Sequence, residues 1–317
     1  MTPPHGPNAD LPAQPATETP ALETESLLRI DDLQPAELDA VLASAAAIKG
    51  GTANPRLPEA TMAMLFEKPS TRTRISFETG MTDLGGHAIF LGPDDIQLGH
   101  GEPMRDTARV LGGYADGVMA RLFDHGDLET LAAYAETPVI NGLTDDAHPC
   151  QTLADLLTIR EAADDPTVAW IGDGNNVGQS FVVGAAMAGI DVRVATPEAY
   201  AMDEAVFERA EAVGARPMVT TDPAEALQGA DIVYTDVWVS MGQEAERDAR
   251  LNAFDDGGFQ VNDALISDAS LSVMHCLPAH RGEEITNEVM ESDRMLAWEQ
   301  AENRLHAQKA LMAALFG

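Results

Sequence analysis

The run Phe66-Glu67-Lys68-Pro69-Ser70-Thr71-Arg72-Thr73-Arg74 places three hydroxyls and two arginines within about one helical turn. An apolar stretch at 61–66 gives way to Pro69, as a buried strand would, and Ser70 or Thr71 is a good N-cap for an amphipathic helix that stops at Gly85-Gly86. A helix start points free backbone N–H groups and the positive end of its dipole at whatever precedes the first turn. A phosphate held there would meet backbone donors together with planar, permanently charged guanidinium forks. Standing alone, the same string also fits a well-capped helix with two solvated arginines.

Four further constellations recur at positions of the same kind. Arg121 closes an apolar run at 117–120 and would aim its guanidinium into the crevice of Arg72. His148-Pro149-Cys150-Gln151 precedes a helix whose first turn the proline presets; His148 can donate to a carbonyl oxygen and Gln151 can accept from an amide. Asp236, Ser240 and Met241 stand on a loop ended by Gly242, where a carboxylate suits an ammonium, a hydroxyl a carboxylate, and a flexible thioether a methylene chain. His275-Cys276-Leu277-Pro278 brings a thiol and two backbone carbonyls to a strand end, although a buried, inert thiol is the commoner fate of such a cysteine.

The stretch from Trp170 to Gly178 follows a strand and opens a helix, which invites a dinucleotide reading. Its glycines are spaced G-x-G-x-x-x-G, one residue longer than the usual fingerprint, and the next strand ends Ala195-Thr196-Pro197 without an acid to hold a ribose. A loop offering the amides of Asn175 and Asn176 to a small polar ligand fits better.

Strands expected at 61–66, 87–91, 117–121 and 138–141 alternate with helices near 35–49, 70–85, 105–111 and 128–135. After a helix at about 149–163 the alternation starts again, with strands near 167–171, 191–195, 217–220, 231–234 and 271–274 and helices near 177–189 and 203–214. Such a pattern predicts an α/β chain of two doubly wound parallel-sheet domains with the active site in the cleft between them. The expected divisions are a structureless leader (1–25), a first domain (26–163), a second domain (164–291) and a final helical segment (292–317) that packs back on the first.

With 52 acidic and 19 basic residues the net charge is −33, and only Lys49, Lys68 and Lys309 are lysine, while 45% of residues are hydrophobic. Nucleic acid is therefore an improbable partner, and no apolar run reaches the roughly 18 residues of a membrane span. The N-terminus lacks a charged-then-apolar signal pattern, so the chain is expected to stay in the cytoplasm. Cys150 and Cys276 suggest no disulfide framework. An acidic, lysine-poor surface around a normal hydrophobic fraction is what a protein working in concentrated salt would show.

The set F-E-K-P-S-T-R-T-R, H-P-C-Q, D-G-N-N, D-x-x-x-S-M-G and H-C-L-P, in this order over roughly residues 27–317, resembles the ornithine carbamoyltransferases. That resemblance implies trimers or multiples of trimers with active sites at subunit boundaries, and transfer of a carbamoyl group from carbamoyl phosphate to ornithine, or the reverse in arginine breakdown, without metal or organic cofactor. Carbamoyl phosphate would be held by Ser70, Thr71, Arg72, Thr73, Arg121, His148, Gln151, Arg304 and the backbone at Cys276 and Leu277, with Gln97 reaching a neighbouring subunit's site. Ornithine would be held by Asn176, Asp236, Ser240 and Met241. Arg121, His148 and Cys276 would stand at the reacting atoms. Competing expectations are a transcarbamoylase for another amine, such as putrescine or an acylated ornithine, an NAD-dependent dehydrogenase, and a silent anion-binding scaffold.

Overall fold

The computed structural model describes residues 19–95, 101–267 and 270–317. Its first sheet holds β1 (Thr61–Phe66), β2 (His87–Leu91), β3 (Gly117–Arg121) and β4 (Val139–Leu143), all parallel, in the order β2-β1-β3-β4. Around it lie α1 (Pro35–Lys49), α2 (Thr71–Leu84), α3 (Met104–Tyr114) and α4 (His125–Ala135). From there α5 (Pro149–Ala162) leads to a second parallel sheet of β5 (Thr167–Ile171), β6 (Asp191–Ala195), β7 (Met218–Thr220), β8 (Ile232–Thr235) and β9 (Ser272–His275), ordered β7-β6-β5-β8-β9. Its helices are α6 (Asn176–Met187), α7 (Glu204–Val213), α8 (Pro223–Ala226), α9 (Arg247–Asp256) and α10 (Asn287–Met290). The last element, α11 (Ala297–Phe316), packs against α1, α2 and α5. The architecture is α/β with two parallel sheets, as the alternation of periods predicts. None of the described helices is long and apolar enough to cross a membrane.

Strand residues alternate between two apolar layers because successive side chains leave a sheet on opposite faces. Met62, Met64 and Phe66 join one core, while Ala63 and Leu65 join a second under α3 and α4. In the other sheet Val168 and Trp170 belong to the same first core, while Ala169 and Ile171 face a third cluster around Phe254 and Phe259. The first core thus runs without a break from β1 through Leu153, Leu156 and Leu157 of α5 to β5, and α11 seals it with Leu311 and Met312. A shared core fixes the relation of the two sheets, and with it the site between them.

In each sheet the chain order reverses once, between β1 and β3 and between β5 and β8. At these switch points loops diverge to opposite faces and leave a crevice at the carboxyl ends of the strands. Phe66 and Arg121 are register partners at the first, and Gly172 and Asp236 follow the strands of the second. Gly172, at φ 149°, turns the chain there in a conformation that side chains rarely adopt.

Some boundaries differ from the sequence reading, for local reasons. Helix α4 starts earlier because the Asp124 carboxylate accepts from the N–H groups of Gly126 and Asp127. Helix α9 was not expected: its segment is mostly polar, and only Arg250 and Phe254 are buried. Phe254 stacks between Trp238 and Tyr200, with centroids at 5.1 and 5.3 Å, a tertiary contact with no periodic signature. Helices α8 and α10 have four residues each, too few to show a period. Most of the expected leader lies outside the described residues; Leu22, in its described part, packs on the first core, and the Glu23 N–H donates to the Glu37 carboxylate.

Candidate active site

The two crevices open into one cavity of about 1000 Å³. Lining it are Ser70, Thr71, Arg72, Thr73, Arg121, His148, Gln151, Asn176, Asp236, Ser240, Met241, Cys276, Leu277 and Arg304, so fourteen expected site residues from seven stretches of chain converge. Gln97, the remaining one, lies outside the described residues.

One end is built from α2, β3, α5 and α11. Ser70 caps α2 by accepting from the Thr73 N–H at 3.3 Å, and its hydroxyl donates to Thr73 Oγ1 at 3.0 Å. Arg304, almost wholly buried, donates to Thr73 Oγ1 at 3.1 Å and to Gln151 Oε1 at 2.6 Å, and faces His148 Nε2 at 3.2 Å. Arg121 is buried as well, and among the described residues its guanidinium has neither hydrogen bond nor ion pair. Burial first, then the charges of Arg304 and Arg72, push its pKa down to about 9. Three guanidinium groups, those of Arg72, Arg121 and Arg304, therefore share a pocket without touching a carboxylate among the described residues, in a chain of net charge −33. Such an arrangement is a site for a multiply charged anion.

An arginine can only donate, so His148 Nε2 must accept from Arg304 and the ring proton sits on Nδ1. That nitrogen is buried without a partner among the described residues. Burial, reinforced by Arg304, Arg121 and Arg72, holds the His148 pKa well below the usual imidazole value. His148 is thus a neutral N–H donor, suited to an oxygen that gains negative charge.

The opposite end is built from β5, β8 and β9. Asp236, buried just beyond β8, accepts from Asn175 Nδ2 at 2.7 Å and from Cys276 Sγ at 2.9 Å. Burial of the sulfur, with the Asp236 carboxylate beside it, lifts the Cys276 thiol well above its usual pKa. The thiol is a donor here and not a thiolate. Ser240 and Met241 lie on the loop that follows, Met241 half-exposed, and the Ser240 N–H donates to Gln243 Oε1 at 3.0 Å.

Two details depart from the sequence reading. Gln151, expected to accept from a ligand amide, spends Oε1 on Arg304 and Nε2 on Asp155 at 2.8 Å. The asparagine pair offers no two free amides: Asn175 caps α6 and grips Asp236, and Asn176 donates to the Thr144 carbonyl at 2.5 Å, tying α6 to the end of β4. The glycine spacing also has a packing cause. A Cβ on Gly178 would lie 2.6 Å from the Trp170 ring, so this glycine seats α6 on β5.

Sequence reasoning missed Arg250. It pairs with Asp173 at 3.0 Å, donates to the Trp238 carbonyl at 3.2 Å and sits 4.5 Å from the Tyr200 ring centroid, tying the Ser240 loop to the glycine loop. Burial pushes the Asp173 carboxyl up to about 6 against the pull of Arg250. A lone arginine in an unrecognised helix carries no motif that would have exposed it.

The thiol geometry has a direct readout. At pH 7.5 iodoacetamide is expected to label the protein at least about tenfold more slowly than a cysteine peptide, since the thiolate is the nucleophile. Only Cys276 should react, because Cys150 is fully buried with its thiol raised to about 12. Asp236→Asn should accelerate labelling by removing the neighbouring charge; peptide-like labelling of the parent protein would mean that the thiol is ionised.

Known proteins are similar to this chain in sequence and in fold. The family model for the aspartate/ornithine carbamoyltransferase carbamoyl-P binding domain matches residues 25–161, and that for the Asp/Orn binding domain matches residues 164–315. The ornithine carbamoyltransferase of Haloquadratum walsbyi is 64% identical over 296 residues, 92% of this chain and 98% of that protein. The enzyme of the same name from Methanoculleus marisnigri is 50% identical over 300 residues, 92% of this chain and 96% of that protein. Among solved structures, the Gloeobacter violaceus ornithine carbamoyltransferase superposes with a TM-score of 0.83 at 47% identity, covering 93% of this chain and 99% of that one. The anabolic enzyme of Campylobacter jejuni superposes with 0.87 at 38% identity, covering 92% and 99%.

Proposed function

The chain belongs to the aspartate/ornithine carbamoyltransferase family, and on that premise we propose that it moves the carbamoyl group of carbamoyl phosphate to the δ-amine of L-ornithine, giving L-citrulline and phosphate. The observation that carries this reading is the polarity of the cavity. Arg72, Arg121 and Arg304 stand at one end without carboxylate contacts among the described residues, and the Asp236–Cys276 pair stands at the other. A phosphate dianion suits the first end and an amino acid's ammonium the second.

In this scheme Ser70, Thr71, Arg72, Thr73 and Arg304 hold the phosphate at the start of α2. Arg121 and His148 attend the carbonyl oxygen, and the backbone at Cys276 and Leu277 takes the carbamoyl amide. Asn176, Asp236, Ser240 and Met241 hold ornithine. The neutral δ-amine attacks the carbonyl carbon, the oxygen gains negative charge toward its donors, and the C–O bond to phosphate breaks as the C–N bond forms. The amine's proton leaves to phosphate or water, because Cys276 already carries its own. Fixing both substrates in one cavity removes much of the entropic barrier.

The dehydrogenase reading loses its support once the glycine spacing is explained by packing and every relative named above is a carbamoyltransferase. The boundaries proposed for the two halves remain 26–163 for carbamoyl phosphate and 164–291 for ornithine, with 292–317 returning to the first. We place the enzyme in the cytoplasm, in arginine metabolism, as a homotrimer or a multiple of trimers. Exposed Ile75 on α2 and Ile89 on β2 supply apolar surface for such contacts. Light scattering in molar salt is expected to give about three times the 33.7 kDa of one chain, or a multiple of that mass; a monomeric mass would overturn the assembly.

The reaction is tested by mixing the protein with carbamoyl phosphate and, separately, ornithine, putrescine or N-acetylornithine in molar potassium chloride. Citrulline and phosphate should appear in equal amounts with ornithine. Faster phosphate release with another amine would reassign the substrate.

A further inference from the structure

Beneath the cavity floor lies a buried carboxylate that reaches no ligand-facing surface. Asp155, midway along α5, is fully buried. Its Oδ1 accepts from Gln151 Nε2 at 2.8 Å and Gln300 Nε2 at 2.7 Å, and its Oδ2 accepts from Tyr234 Oη at 2.9 Å. The three donors come from α5, α11 and β8, so one side chain joins the helix between the sheets, the final helix and the second sheet.

Each donor leads on to a site residue. With Gln151 Nε2 turned to Asp155, Gln151 Oε1 must face outward, where it accepts from Arg304 at 2.6 Å. With Gln300 Nε2 likewise turned, Gln300 Oε1 accepts from the His275 N–H at 3.0 Å, one residue before Cys276. Tyr234 stands two residues before Asp236 on the same strand end. Reversing either amide would set an NH₂ group against the Arg304 guanidinium or the His275 N–H, donor against donor.

We propose that Asp155 is a positioning residue that keeps the phosphate end and the amine end of the cavity in register by fixing the two glutamine amides and Tyr234. The inference rests on the carbamoyl-transfer reading above and adds a residue that touches neither substrate. It makes a prediction that a packing role does not. Asparagine can satisfy the same three partners, accepting both amides at its oxygen and donating to Tyr234 Oη, while leucine satisfies none. A neutral group is tolerated there, since burial already lifts the Asp155 carboxyl to about 7.

The test is steady-state kinetics on the full-length enzyme in molar salt, with melting temperatures measured alongside. Asp155→Leu is expected to raise KM for both carbamoyl phosphate and ornithine at least about fivefold each, and Asp155→Asn to stay within about twofold of the parent. Tyr234→Phe, which removes one oxygen and preserves the packed ring, should raise KM for ornithine about threefold and leave that for carbamoyl phosphate unchanged. Should Asp155→Leu fail to fold, the Tyr234→Phe split decides. An ornithine KM unmoved by Tyr234→Phe, a single KM affected by Asp155→Leu, or Asp155→Asn as impaired as Asp155→Leu would each overturn the proposal. Absence of citrulline from the parent enzyme would instead sink the assigned reaction, and the role of Asp155 with it.

Discussion

Arg121→Met is expected to lower kcat/KM by about 10²- to 10³-fold, the cost of removing one preorganised donor to a developing oxyanion, while the ligand-free protein melts at the same temperature or higher. The two halves of this result share one cause. Arg121 is buried, unpaired among the described residues and flanked by Arg304 and Arg72, so its charge is held at a cost in the folded state. The sign follows from its pKa, which burial and the neighbouring guanidiniums lower from the ordinary arginine range to about 9 in the folded state. At neutral pH the group is charged in both states but more comfortably in the unfolded one, so deleting it removes a destabilising term. Methionine retains much of the apolar stem and leaves little cavity. Carbamoyl phosphate should raise the melting temperature of the parent enzyme well above that of the variant, because the anion pairs with the guanidinium only in the native state. Calorimetric melts with and without carbamoyl phosphate, beside citrulline assays, check both halves; a variant that turns over normally would remove Arg121 from the reaction.

Dialysis from molar potassium chloride into dilute buffer is expected to unfold the enzyme and abolish turnover. For a compact chain of this length the radius of gyration is about 20 Å, so excess charges lie roughly 30 Å apart. Each such pair repels by about 0.1 kcal/mol in water. A net charge of −33 supplies on the order of several hundred pairs, which makes the total on the order of tens of kcal/mol before the unfolded chain's own repulsion is subtracted. That exceeds the roughly 5–15 kcal/mol by which folded domains are stable. In about 1 M salt the screening length is about 3 Å and the repulsion largely disappears; in about 0.01 M it is about 30 Å and most pairs feel one another. The cations present do little to relieve this. All three lysines are paired with single acids, Lys49 with Glu161, Lys68 with Asp145 and Lys309 with Asp83. Circular dichroism and citrulline formation across a salt series provide the check, and full activity after prolonged dialysis would contradict it.

What the chain discloses before folding is uneven, for physical reasons. Strands β1, β2, β3, β5 and β6 are legible because parallel strands are short apolar runs closed by turn residues. Ser70, Arg121, His148 and Asp236 are legible because chemistry gathers at strand ends and helix starts, where motifs are contiguous. Asp155 is not. Within its helix it resembles an ordinary polar residue, and its partners Tyr234 and Gln300 lie 79 and 145 residues away. The direction of Gln151 is likewise hidden, since it depends on Arg304, 153 positions further on. Arg250 and α9 escape because Phe254 is held by two aromatic neighbours from other elements, which no local period records.

The placement of α11 has a consequence for biosynthesis. This 20-residue segment brings Arg304 to Thr73, Gln151 and His148 and closes the first core with Leu311 and Met312. Both sheets are complete in the sequence before it begins. A nascent polypeptide that has not yet reached α11 therefore has an uncovered apolar groove and only two of the three guanidiniums found at that end of the cavity. The closing of the first core and the assembly of the cationic end of the cavity thus depend on one and the same helix.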